Sequence, residues 1–365
     1  MKLMKKKVFY VMALCMGLFS SCDKDDIGFE EPIVPPIEEP EKPSEPEKPS
    51  VIPSTENLIK VKIDDDIMAI VGTETWKSIV YGNGKYVAVS SEIYSYINSH
   101  ITTSVDGINW SAPKEISRPL GNFISYANGK YWIGGGTVDG KSILNMSDDG
   151  ENWTNIILSS GSYNQATTKV AYGNGLYVVG SWNGVFVADA TKMNWKLIKI
   201  ADVHNDIVDV AYGNGIFVCV NVNGAIASSS DGENWEVVET GIGFKSVIYA
   251  NNMFVIGGAR ISINGIYSPN IRYSTDGINW EVAKGYDNGS IKYLGQVDLT
   301  YDNNNGLFVG IMPQYRVSGS VPIYNKKNYI MVSSDGINWS AATELIDEDG
   351  NSITNELNDV CSVIN

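Results

Sequence analysis

From about residue 57 onward, short apolar and aromatic runs alternate with Gly-bearing pairs. Period-2 alternation punctuated in this way predicts strands and tight hairpins rather than helices. The run IVYGNGKYVAV (79–89) recurs as ISYANGKYWIG (124–134), VAYGNGLYVVG (170–180), VAYGNGIFVCV (210–220), VIYANNMFVIG (247–257) and LTYDNNNGLFVGI (299–311). Asn-Gly between β-branched and aromatic residues is a hairpin signal, because both residues accept positive φ. A second phrase follows each run. Ser-x-Asp-Gly-x-Asn-Trp, or a close variant, occupies 104–110, 147–153, 229–235, 274–280 and 333–339, and a worn copy, ADATKMNW, ends at Trp195. The tryptophans stand 43, 42, 40, 45 and 59 residues apart. Each unit reads as four short strands, in the first Ser78–Tyr81, Lys85–Ser90, Ile101–Val105 and Trp110–Glu115. Four-stranded units at this period predict an all-β fold, a β-propeller of four-stranded blades.

Six units are clear, and material remains at both ends. Residues 357–365 (LNDVCSVIN) match the start of a further unit, while Asn57–Ile63 and Ile67–Gly72 read as two more strands. A seventh blade made of one C-terminal and two N-terminal strands uses all of them and locks the termini together. Six blades with peripheral extra strands is the alternative.

The Ser-x-Asp-Gly-x-Asn-Trp turn resembles the Asp-box, or BNR, repeat of sialidase-like propellers, shortened by one residue between Asp and Gly. The resemblance covers nearly all of 76–346 and implies a propeller. It implies little about activity, since that turn is structural in many unrelated proteins. An Asp so placed accepts bonds from nearby amides, and the Trp packs between blades. Asp106, Asp149, Asp231, Asp276 and Asp335, with Trp110, Trp153, Trp195, Trp235, Trp280 and Trp339, are therefore expected to be structural rather than a ring of metal sites.

The first 56 residues have a different character. Lys2, Lys5, Lys6 and Lys7 precede an apolar run from Val8 to Phe19, too short to span a bilayer. Residues 1–21 read as a secretory signal peptide. The ending Phe19-Ser20-Ser21-Cys22 resembles a bacterial lipobox, which implies lipidation of Cys22. The following Asp23-Lys24-Asp25-Asp26 is similar to the export signal of surface lipoproteins in the Bacteroidetes, and implies an outer-membrane lipoprotein facing the exterior. Residues 22–56 carry 11 acidic and 3 basic residues, the tandem EPEKPS copies at 39–50, and eight of the 13 prolines. So little apolar surface and so much proline make a semi-rigid spacer. The remainder, 57–365, is expected to be a single propeller domain.

Charge and composition narrow the chemistry. The 365-residue chain has a net charge of −15, which leaves no basic surface for nucleic acid. Two histidines and four cysteines argue against a His/Cys metal centre, and no cofactor is expected. Cys219 and Cys361 are expected to be buried free thiols. A sialidase needs an arginine triad, and only Arg118, Arg260, Arg272 and Arg316 are present, without that family's Arg-Ile-Pro signature. No Gly-x-Ser-x-Gly elbow accompanies His100 or His204. Asp287, Asp347, Glu348 and Asp349 are carboxylates any acidic chain offers, so no catalytic constellation is recognised.

With one sequence, variation between repeats points to a site. The Asn-Gly and Asp-Gly turns are nearly invariant, so their face reads as scaffold. The second turns of units one, five and six are long, at 91–100, 258–270 and 313–328. With the connections 285–293 and 346–357 they gather Tyr94, Tyr96, Tyr267, Tyr286, Tyr293, Tyr315 and Tyr324 with Arg260, Arg316 and His100 on the opposite face. Tyrosine presents a flat apolar ring and a hydroxyl, suited to sugars or protein hot spots. The expected role is non-catalytic binding of an extracellular glycan or protein by a monomer. A sialidase-like glycoside hydrolase, or a scaffold subunit of an envelope complex, are the alternatives.

Overall fold

The structure, a computed structural model, describes residues 52–363 except 65–66, 92–97, 118–120, 139, 160–165, 183, 201–206, 264–265, 286–293 and 319–320. Residues 1–51, which hold the expected signal peptide, Cys22 and most of the expected spacer, lie outside the described residues. Seven antiparallel sheets, each built on four strands, form the blades of a β-propeller. Blade 1 runs from the axis outward as Trp76–Gly82, Lys85–Ser91, Asn98–Ser104 and Lys114–Ser117. The innermost strands of blades 2 to 6 are Gly121–Ala127, Thr167–Gly173, Ile207–Gly213, Phe244–Ala250 and Asp298–Asp302. That of blade 7 is Leu357–Ser362, and the seven innermost strands are successive neighbours around a closed ring.

Blade 7 closes the ring with both ends of the chain. From the axis outward it holds Leu357–Ser362, Ile67–Thr73, Leu58–Asp64 and Ile346–Asp347. Ile70 pairs with Cys361 and Val61 with Asp347. Seven blades are thus correct, and the closing blade gains a fourth strand that the sequence reading did not assign. In blade 1 the outer strand begins at Lys114 rather than Trp110. Trp110 is spent on packing: it meets Tyr86 at 6.4 Å between ring centroids, in a cluster with Ile70 and Cys361 of blade 7.

Each seam between blades is an apolar cluster, and there are seven, one for each joint of the ring. The tryptophan that follows each Asp-Gly turn reaches into one of them, as Trp339 does between blades 5 and 6 and Trp235 between blades 3 and 4. Fully buried rings such as Trp132, Phe217 and Phe254 each contribute about 2–3 kcal/mol of apolar burial. The first hairpin of blade 1 turns at Asn83 (φ 46°) and Gly84 (φ 78°), the left-handed pair a two-residue hairpin requires.

Tyrosines at the ends of inner strands pack against the next strand of their own blade. Tyr126 meets Tyr131 at 4.9 Å and Tyr249 meets Phe254 at 4.7 Å. Tyr249 also lies over Gly213 of blade 4, where an added Cβ would fall 2.0 Å from the ring. Only glycine admits this approach.

Candidate functional site

The expected face is built differently from its prediction as loops. In blades 1 to 4 the second strand has six or seven residues. In blade 5, Met253–Ile263 pairs with Ile266–Ser274, and in blade 6, Leu307–Ser318 pairs with Val321–Ser333. The segments 258–270 and 313–328 are therefore hairpin strands that continue beyond the disc, by five or six residues or about 17–20 Å. Register shifts at Gly258/Ile261 and Pro313/Tyr315 mark bulges where they leave it. Arg260 and Tyr267 sit in the blade 5 hairpin and Arg316 in the blade 6 hairpin, placed by backbone register. Tyr94, Tyr96, Tyr286 and Tyr293 lie outside the described residues.

Tyr315 and Tyr324 do come together. They are register partners with ring centroids 6.3 Å apart, and the Tyr315 hydroxyl donates to Glu356. The Asn328 amide donates to the Tyr324 hydroxyl and to the Ile353 carbonyl, each at 2.8 Å, which pins the hairpin base. Burial pushes the Tyr324 hydroxyl up to about 12, partly opposed by the Asn328 bond. His100 does not belong to this face as a reactive group: it is 2% exposed inside blade 1.

At the Asp-Gly turns the bonding is nearly the same five times. Asp231 Oδ1 accepts from the amides of Glu233 and Asn234 at 2.8 Å and from Ser229 Oγ at 3.0 Å, and Oδ2 accepts from Asn234 Nδ2 at 2.8 Å. Asp106, Asp149, Asp276 and Asp335 repeat the pattern. These donors, led at Asp231 by the Asn234 backbone amide, hold the carboxyls well below the usual carboxylate range. In the worn copy, Asp189 accepts from the Thr191 and Lys192 amides and the Thr191 hydroxyl, with Lys192 Nζ 3.9 Å away.

The channel on the propeller axis is a feature the sequence reading passed over. Inner strands pair on one edge only, so amides on the other edge face the axis and need acceptors. Asp209 bonds its neighbour Val210 N at 2.8 Å and reaches across to Val247 N of blade 5 at 3.0 Å. Asp359 likewise accepts from Val360 N at 3.0 Å and, across the closing joint, from Ile79 N at 3.0 Å and Ser78 Oγ at 2.5 Å. Lys169 Nζ stands 3.9 Å from Asp209 and 4.0 Å from Asp359, with 25% of its side chain exposed. Lys245 pairs with Asp298 at 2.9 Å.

Burial pushes Asp209 up to about 6 although Lys169 and two amides oppose it, and raises Asp359 in the same way. Burial alone would lower Lys169, but the surrounding carboxylates outweigh it and its pKa is raised. Among the described residues, no group of three or more His, Cys, Asp or Glu side chains is placed to hold a metal ion. Cys219 and Cys361 are buried free thiols, and burial raises both. A signal for the channel existed. Lys169, Asp209, Asp298 and Asp359 occupy one offset within the repeated phrase, at strand starts that are otherwise apolar or neutral.

No protein-family model and no curated protein matches the chain. It is similar to several solved structures. A structure described as YCF48 bound to D1 peptide aligns with a TM-score of 0.48 and 16% identity over 80% of this chain and 87% of that one. The Neurospora crassa Pan2 WD40 domain aligns at 0.44 and 11% identity, over 61% and 65%. The computationally designed Ika8 protein aligns at 0.46 and 9% identity, over 79% and 96%. None of the three carries a functional inference for this chain.

Proposed function

We propose that the chain is a non-catalytic binding propeller, held at the outer membrane by a lipid on Cys22 and facing the exterior. Its hairpin-bearing face takes an extended segment of an extracellular protein. The location rests on the leader, the Ser20-Ser21-Cys22 ending and the acidic Pro-rich spacer. The binding mode rests on one observation: two neighbouring blades carry hairpins that leave the disc with open backbone edges. Among the described residues, no strand pairs with the outer edges of 259–263 in blade 5 or of 316–318 and 321–327 in blade 6. Such edges accept an added strand through main-chain hydrogen bonds. Beside them, Trp182 and Val222, 49% and 42% exposed, occupy equivalent turns of blades 3 and 4 and offer apolar contact. Tyr315 and Tyr324 stiffen the base of the taller hairpin.

The test is a peptide array and a glycan array probed with the same protein. A variant with residues 315–327 replaced by an Asn-Gly turn is probed alongside. Peptide binding that disappears in the shortened variant supports the reading. Binding to glycans alone, or peptide binding indifferent to the shortening, overturns it.

A further inference from the structure

The face carrying the Asn-Gly turns also carries a cavity on the propeller axis. The channel widens there into a funnel of about 500 Å³, rimmed by Tyr126, Tyr172, Tyr212, Tyr249 and Tyr301. We propose that this funnel binds an alkylammonium group, from a lysine side chain of a partner or a free aliphatic amine. The site is separate from the hairpin face and does not depend on how that face is used.

The shape selects a slender ligand. Three residues of strand separate the tyrosines from the level of Asp209 and Asp359, a depth of about 10 Å. The volume lies within the range of roughly 300–1,000 Å³ usual for small-ligand sites. The wall between rim and floor is formed by inner-strand residues such as Val170, Ala171, Val210, Val247 and Thr300, whose unpaired backbone edges face the axis.

The floor selects the charge. It presents two carboxylates, Asp209 and Asp359, and one ammonium, Lys169, while Asp298 is already engaged by Lys245. That balance leaves one carboxylate in excess, and a desolvated charge without a counter-charge is costly. Lys169 shows that an ammonium fits between these acids, and a second ammonium arriving from the funnel neutralises the floor. An anionic ligand would meet two carboxylates.

Rim and surroundings point the same way. Tyr212 gives its hydroxyl to Asn174 at 2.6 Å, but the hydroxyls of Tyr126, Tyr172, Tyr249 and Tyr301 have no protein partner among the described residues. Their oxygens can accept from ammonium N–H groups. Outside the rim, the ionised Asp-Gly turns stand on the same face and favour the approach of cations, an effect screened beyond about 8 Å at physiological salt.

Calorimetric titration of the full chain with four probes tests the site. These are 1,5-diaminopentane, N-acetyl-lysine methylamide, 1,5-pentanediol and glutarate. Binding of the two amines and not of the diol or diacid is expected. Binding of the diamine alone identifies the free amine as the occupant, and binding of both admits a protein lysine. Asp209→Asn should weaken amine binding at least about tenfold. Thr300→Lys, at a half-buried wall position, should abolish it by supplying an internal ammonium, and it leaves the floor untouched should Asp209→Asn fail to fold. No amine binding at millimolar concentration, equal binding of the diol, or unchanged affinity in Thr300→Lys overturns the proposal.

Discussion

Asp276, at an outer turn of blade 5, and Asp359, on the channel, each accept several hydrogen bonds, yet the protein shifts them in opposite directions. Asp276 draws its donors from Ser274, Ile278 and Asn279, all within three residues. It stands near water, so those donors add to solvation and the carboxyl is held low. Asp359 draws Ser78 and Ile79 from 281 and 280 residues away, and burial outweighs them. What separates the two is burial: water can replace a lost partner at the exposed turn far more readily than at Asp359, which is 4% exposed. The turns are thus local devices that tolerate wear, as Asp189 shows, whereas the channel acids are joints between blades.

The sharpest way to break this contrast is Asp359→Ala. It strips Ile79 N and Ser78 of their acceptor and leaves Lys169 with less counter-charge, so a loss of about 3–5 kcal/mol in denaturant unfolding is expected. A loss below 1 kcal/mol would make the channel acids no different from the turns. Gly213→Ala perturbs the rim without touching a charge. Driving a methyl into the Tyr249 ring should cost about 1–3 kcal/mol, read by the same unfolding curves. Asp276→Ala removes only local bonds that water can replace, and about 1 kcal/mol is expected.

The smallest effect is the most diagnostic. Turn carboxyls held low stabilise the fold above the ordinary carboxylate value of 3.8, and that contribution is lost as pH falls below it. Asp209, raised to about 6, works in reverse: its contribution is complete below 3.8 and is lost as pH rises through about 6. Thermal melts should therefore be highest near pH 4, decline modestly as pH rises from there to about 6 and level off above. In Asp209→Asn the decline above pH 4 should flatten while the acid limb stays, which separates the two sets of acids in one experiment.

The same distinction explains what was legible in the sequence. The Ser-x-Asp-Gly-x-Asn-Trp phrase contains its own hydrogen-bond partners, so its repetition exposed the blades. The likeness of residues 357–365 to the start of a unit, with Ser362-Val363-Ile364 set against Ser246-Val247-Ile248, exposed the closure, although the strand itself is Leu357–Ser362. The fourth strand of blade 7, Ile346–Asp347, is two residues long and has meaning only beside Val61 and Lys62. The hairpins were misread as loops because Gly258, Pro269, Pro313 and Pro322 interrupt the alternation, although the Asn264-Gly265 pair carried the hairpin signal. The channel acids were overlooked because each sits inside a phrase that otherwise repeats. Pairing Asp209 with Val247, or Asp359 with Ile79, requires knowing that the strands meet around an axis.

The closing blade has a consequence for time as well as for space. Its inner strand is made almost 300 residues after the two strands it joins. Until then the six complete blades can form only an open crescent, with Ile67–Thr73 and Asp298–Asp302 as bare ends. Contacts of such sequence separation form slowly, so closure is expected to be the last folding event. Before it, no ring of acids surrounds Lys169 and no funnel exists, so a ligand of the axis can meet this chain only after its final strand has docked.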